Sequence, residues 1–151
     1  MGFFIAETSP VDVLKKVILD HWESYLETTV PIVVITNDPE GDFMRADYNM
    51  GDYLILSPDG SESIKYRGNI QYYDKTHPLT IQIGTKEGYQ KLRDMWKMIR
   101  AILFDNKHSF DGWQLIRLIS YTEMVNQDQM IWRAIVRLQV ESAGICVETL
   151  V

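Results

Sequence analysis

The feature that most constrains this chain is a strict alternation near its C-terminal end. Between Gln129 and Glu141, Met130, Trp132, Ala134, Val136, Leu138 and Val140 share one parity. Ile131, Arg133, Ile135, Arg137 and Gln139 share the other. Successive side chains of a strand point to opposite faces, so this segment is a strand with one apolar face and one mixed face. Trp113 to Glu123 also has strand character, and Val125-Asn126-Gln127-Asp128 reads as the turn between the two. The pair is expected to form a long antiparallel hairpin.

A different period precedes the hairpin. Tyr89, Leu92, Met95, Trp96, Ile99, Ile102 and Leu103 recur at three- and four-residue steps, which defines the apolar stripe of a helix ending near Phe104. Thr85 is the expected cap, and Gly88 falls in the first turn. An earlier helix begins at Ser9-Pro10-Val11-Asp12, where serine caps, proline suits the first helical position and aspartate favours the positive end of the dipole. Its apolar face is Val11, Leu14, Val17, Ile18, Trp22, Tyr25 and Leu26, running to Glu27.

Between the helices the pattern is that of strands. Val30-Pro31-Ile32-Val33-Val34-Ile35 is nearly continuous and β-branched, which predicts a strand buried on both faces. Tyr53-Leu54-Ile55-Leu56 and a polar strand from Ser63 to Tyr73 flank Ser57-Pro58-Asp59-Gly60, a hairpin signal. Leu79-Thr80-Ile81-Gln82-Ile83 alternates cleanly. Asn37 to Gly51 is polar and reads as a loop long enough to be functional or mobile. The expected fold is α+β, a single domain over 1–151. It has a mostly antiparallel sheet of about six strands with two amphipathic helices packed on one face. The other sheet face must then meet water or another subunit.

The chemistry in the chain is sparse. A net charge of −6 disfavours non-specific attraction to nucleic acid, which is not expected to bind directly. The one cysteine, Cys146, rules out an intrachain disulfide and has no base or cation adjacent to activate it. Phe3-Phe4-Ile5-Ala6 lacks a basic flank and is too short for a secretory signal, and no stretch is apolar enough to span a membrane. His21, His77 and His108 have no second His or Cys at ligand spacing. Walker, Rossmann and nucleophile-elbow motifs do not occur, so neither a cofactor nor a metal is expected.

Three groups remain. Asp38, Glu40, Asp42 and Asp47 lie in the long loop, where alternate carboxylates suit a hard cation but lack the glycine and terminal glutamate of an EF-hand. A solvated turn accounts for them better. Ser63-Ile64-Lys65-Tyr66-Arg67 mixes basic and aromatic residues, as single-strand binders do. Arg117, Arg133 and Arg137 lie on the terminal hairpin, where arginine suits either nucleic acid or a subunit interface; the negative net charge favours the interface.

The passage from Leu79-Thr80-Ile81-Gln82-Ile83 to Leu103, and the ending from Ile119-Ser120-Tyr121-Thr122-Glu123 through Asn126-Gln127-Asp128 to Trp132–Val140, resemble the phage tail-terminator and tail-completion proteins. These begin with an amphipathic helix, then have a central antiparallel sheet, a second helix and a closing hairpin. The long Asn37–Gly51 segment and the tail past Glu141 depart from that pattern. The resemblance implies a non-enzymatic virion protein, made in the host cytoplasm. It would form a hexameric homo-oligomeric ring that ends tail-tube growth and joins tail to head. Its partners would be a tail-tube protein and a head-completion protein. Arg117, Arg133 and Arg137 would make subunit contacts, and the loop carrying Asp38, Glu40, Asp42 and Asp47 would face the tube or connector. A head–tail connector or neck protein is the related alternative. A metal-dependent enzyme using the loop carboxylates and a nucleic-acid module using Lys65, Tyr66 and Arg67 are the unrelated ones.

Overall fold

A computed structural model describes residues 2–3, 10–22, 30–36, 51–60, 63–66, 72–106, 115–126, 131–145 and 148–149. Its elements are β1 (Gly2–Phe3), α1 (Pro10–His21), β2 (Ile32–Ile35), β3 (Tyr53–Pro58) and β4 (Ser63–Tyr66). They continue with β5 (Tyr72–Thr85), α2 (Tyr89–Asp105), β6 (Leu115–Asn126), β7 (Ile131–Ile145) and β8 (Glu148–Thr149). Six strands form one sheet in the order β2-β3-β5-β7-β6, with β4 also paired to β5. β1 and β8 form a separate antiparallel ribbon.

The terminal hairpin is the spine of the sheet. β6 and β7 pair from Leu115 opposite Glu141 to Asn126 opposite Ile131, and β5 pairs with β7 along its whole length. Ala134, Val136, Leu138 and Val140 are buried on the face that meets the helices, and Trp132 packs against the same core. One break interrupts β6: Leu118 faces Leu138 but Ser120 faces Arg137, leaving Ile119 as an extra, bulged residue. The bulge shifts the parity, so Tyr121 rather than Ser120 follows Leu118 onto the core face.

Both helices cover that same face. Val11, Val13, Leu14, Val17 and Ile18 of α1 join Leu92, Met95, Trp96, Met98, Ile99, Ile102 and Leu103 of α2 in one cluster with Leu54, Leu56, Leu79, Ile81 and Ile83. Each fully buried Leu or Ile contributes roughly 1.5–3 kcal/mol. A helix of 12 residues is marginal alone, so this seam rather than propensity holds α1 in place.

Three local expectations need correction. Ser57-Pro58-Asp59-Gly60 does not reverse the chain: β3 and β4 both run antiparallel to β5 along the same edge of it. Pro58 faces Leu79 and Ser63 faces Thr76, so four residues of this edge stand where β5 has two, and the register shifts between β3 and β4. The Asp59 amide donates to the Pro78 carbonyl at 3.0 Å, and Gly60 takes a positive φ of 99°. Proline is tolerated at 58 because it is the last residue of β3, where the ladder stops. The expected strand from Ser63 to Tyr73 is thereby two strands, β4 and the start of β5, and the reversal between them lies outside the described residues.

The second correction concerns β2. It is half exposed rather than buried on both faces, and among the described residues only β3 flanks it. β2 and β3 are the one parallel pair among the described strands, in a sheet that is otherwise antiparallel as expected. A parallel pair needs a crossover of a dozen residues or more, which gives residues 36–52 a reason for their length that composition alone does not supply. The third correction is the start of α2. Gly88, with φ 120°, is the N-cap, and no side chain caps the helix. The Thr85 hydroxyl instead donates to Asp52 at 2.6 Å and accepts the Glu87 amide at 3.1 Å. Ser9, Tyr25, Leu26, Trp113 and Met130 lie outside the described residues.

Asp52 also meets Lys91 at 3.4 Å, with side chains 10% and 19% exposed. This clasp joins the start of β3, the end of β5 and the first turn of α2. Asp52→Ala removes the acceptor of the buried Thr85 hydroxyl and one of two carboxylates at Lys91, the other being Glu87 at 3.5 Å, so a loss of about 2 kcal/mol is expected. Urea unfolding checks it; a change below about 0.5 kcal/mol, the scale of ordinary surface substitutions, would remove the clasp from the account.

Candidate assembly face

The registers assign the sheet's second face in rows. Tyr53, Gly84, Arg133 and Met124 form one; Ile55, Gln82, Ile135 and Thr122 the next; Ser57, Thr80, Arg137 and Ser120 a third. Arg117 lies beside Gln139 in the row beyond. All three arginines singled out from sequence therefore sit on this face, opposite the helices.

The face has two zones. Over β3 and β5 it is closed: Tyr53, Ile55 and Ile131 form a second small apolar cluster, and Ser57 and Gln82 are buried beside it. The Ser57 and Thr80 hydroxyls lie 3.2 Å apart. Tyr53 fits only because Gly84, its neighbour across the ladder, has no side chain. Burial holds the Tyr53 phenol well above its ordinary pKa, and the nearby Arg133 charge opposes that shift.

Over β6 and β7 the face is open and polar. The Arg117 and Arg137 side chains are 58% and 63% exposed, and Ser120 and Thr122 are exposed beside them. Arg117 lies 3.7 Å from Glu141 and Arg137 3.9 Å from Asp59. Such loose, solvated pairs are worth little, and their guanidinium groups remain accessible to a carboxylate on a partner.

The remaining sequence candidates do not gather. Asp38, Glu40, Asp42, Asp47, Arg67, His108 and Cys146 lie outside the described residues. Lys65 is exposed on β4, opposite Asp74 in the ladder. His21 Nδ1 donates to the Val17 carbonyl at 3.0 Å, which is a helix-end role. Among the described residues no group of three or more His, Cys, Asp or Glu is placed to hold a metal. No described helix is long and apolar enough to cross a membrane.

Sequence reading missed one polar centre. Glu123 Oε1 accepts from Arg93 at 2.9 Å and from the hydroxyls of Tyr89 and Tyr121 at 3.1 Å each. Tyr121 in turn stacks on Trp96, with centroids 4.5 Å apart. Glu123 reaches the helix-covered face only because the bulge at Ile119 shifts the parity of β6, and there a carboxylate requires donors from whatever packs opposite. The Arg93 hydrogen bond leads the causes that hold the Glu123 carboxyl below its ordinary pKa. A depressed folded-state pKa stabilises the fold above the unfolded value, near 4.3, and that contribution disappears as pH falls below it. Glu123→Gln is expected to flatten the acid limb of a stability–pH profile while leaving neutral-pH folding cooperative. An unchanged acid limb would count against this assignment.

Layers and strand order define an α+β protein with helices on one sheet face and an arginine-bearing polar zone on the other. No protein-family model matches the chain, and no curated protein matches it either. Among solved structures it is similar to a chain described as "Virion of native gene transfer agent (GTA) particle", with a TM-score of 0.52 and 11% identity. The match covers 91% of this chain and 100% of that one. At that identity the likeness is one of fold.

Proposed function

We propose that this chain is a structural component of a phage-like virion, and within it a tail terminator. Copies form a hexameric ring that ends growth of the tail tube and presents a surface to the head-completion protein. The observation that carries the reading is the fold shared, over 91% of the chain, with a protein chain of a virion. The open face of β6 and β7 supports it physically, since the exposed guanidinium groups of Arg117 and Arg137 suit contact with acidic groups on a neighbouring subunit. Arg133 belongs to the same contact, nearer the closed zone. The segment carrying Asp38, Glu40, Asp42 and Asp47 faces the tube or connector in this reading.

The function is mechanical: binding, not bond-making, terminates the tube. Assembly of the tail-tube protein with and without this chain tests it. Tubes should stop at shorter lengths and carry a cap at one end. Tubes of unchanged length with bare ends would remove the terminator role. A chain that instead binds assembled heads would move the assignment to a connector or neck protein.

A further inference from the structure

The break in β6 decides what the sheet's second face presents. With an unbroken ladder beyond Leu118, the residues on that face would be Ile119, Tyr121 and Glu123. The extra residue at Ile119 moves the register by one, so Ser120 stands opposite Arg137, Thr122 opposite Ile135 and Met124 opposite Arg133. The slip takes the Glu123 carboxylate away from the arginines and brings two hydroxyls to them. Bulges recur where a strand must re-aim its side chains at a functional surface.

The result is a compact set of donors. Arg137 lies between Thr80 across β5 and Ser120 across β6, and Arg117, opposite Gln139, is its diagonal neighbour. Diagonal positions of an antiparallel pair are about 7–8 Å apart, within reach of side chains as long as arginine. From the row of Arg133 to the row of Arg117, β6 and β7 place no Asp or Glu on this face. The carboxylates that the two guanidinium groups do meet are Glu141, in the row beyond Arg117, and Asp59, past the end of β3. Neither lies between them. Like charges on neighbouring positions of a sheet repel, and an anion seated between them relieves that repulsion.

We propose that Arg117, Ser120, Thr122 and Arg137 form one carboxylate-binding site, filled by an acidic side chain from a second copy of this chain. The guanidinium forks take the two carboxylate oxygens, and the hydroxyls donate to the remaining lone pairs. Charge selects the occupant. The described residues carry eleven Asp and Glu against twelve Lys and Arg; the rest of the chain carries ten against three. A second copy thus brings an excess of carboxylates from outside its described strands and helices. A net charge of −6 works against nucleic-acid phosphate as the occupant. The inference deepens the subunit contact proposed above and rests on the ring of copies, though not on what that ring does.

Sedimentation velocity of the full chain, with melting curves alongside, tests the site. The native chain and Ser120→Thr, which keeps a hydroxyl, should sediment as closed rings. Ser120→Ala combined with Thr122→Ala should melt cooperatively, with association weakened about tenfold or more. Arg137→Lys keeps the charge but loses the fork, and should weaken association to a similar degree. A surface that attracts by charge alone would tolerate both changes. Rings that persist unchanged in both variants would overturn the site and leave the ring standing. A native chain monomeric at millimolar concentration would overturn ring and site together. Binding of a labelled DNA duplex by the native chain, lost in these variants while rings persist, would assign the site to phosphate and overturn the inference as well.

Discussion

Gly84→Ala is expected to destabilise the protein by about 3 kcal/mol or more, a large part of what a small domain has. A Cβ at position 84 would overlap Cζ, the hydroxyl and Cε1 of Tyr53. Tyr53 is 1% exposed, so its ring has nowhere to retreat except by opening the cluster it forms with Ile55 and Ile131. Leucine at position 53 lacks all three overlapping atoms. Tyr53→Leu combined with Gly84→Ala should therefore cost clearly less than the sum of the two single changes. Urea denaturation of the four proteins measures the coupling. Additive losses, or a Gly84→Ala midpoint equal to that of the native chain, would contradict the packing described.

Reversing the charge of Arg117 and Arg137 together should leave folding almost untouched and abolish assembly. Both side chains are more than half exposed, and their ion pairs, at 3.7 and 3.9 Å, contribute little to stability. A change within about 0.5 kcal/mol is expected in unfolding experiments. Against an acidic neighbour the same substitutions place like charges together, which costs several kcal/mol at an interface. Ring formation and tube termination should both fall below detection, with the melting curve preserved. Native-like assembly by the doubly reversed chain would take this face out of the account.

How legible was this in the sequence? The hairpin and the α2 stripe were readable because one periodicity dominated each: Ala134 to Val140 alternate without a break, and Leu92 to Leu103 keep helical spacing. What failed was local chemistry that tertiary pairing decides. Pro58-Asp59-Gly60 makes either a turn or a shift of register along one edge, and only the long β5 beside it selects the shift. The apolar run of β2 looks the same whether its strand is central or at an edge. Thr85 had a cap's identity but found Asp52 first. The slip in β6 was visible, since the core-facing residues step by two from Ile116 to Leu118 and by three to Tyr121. For the assembly face, alternation alone put the three arginines on one side. That half of the face is closed over Tyr53 and half open over Arg117 and Arg137 required the whole sheet.

The central claim is that this chain occupies one place in a phage-like particle, at the junction of tail and head. Electron microscopy of particles assembled with a labelled copy tests it most directly. The account predicts label in a single ring at the head-proximal end of the tail, in every complete particle, and overlong tubes when the chain is withheld. Complete particles without label, with tails of normal length in its absence, would contradict it.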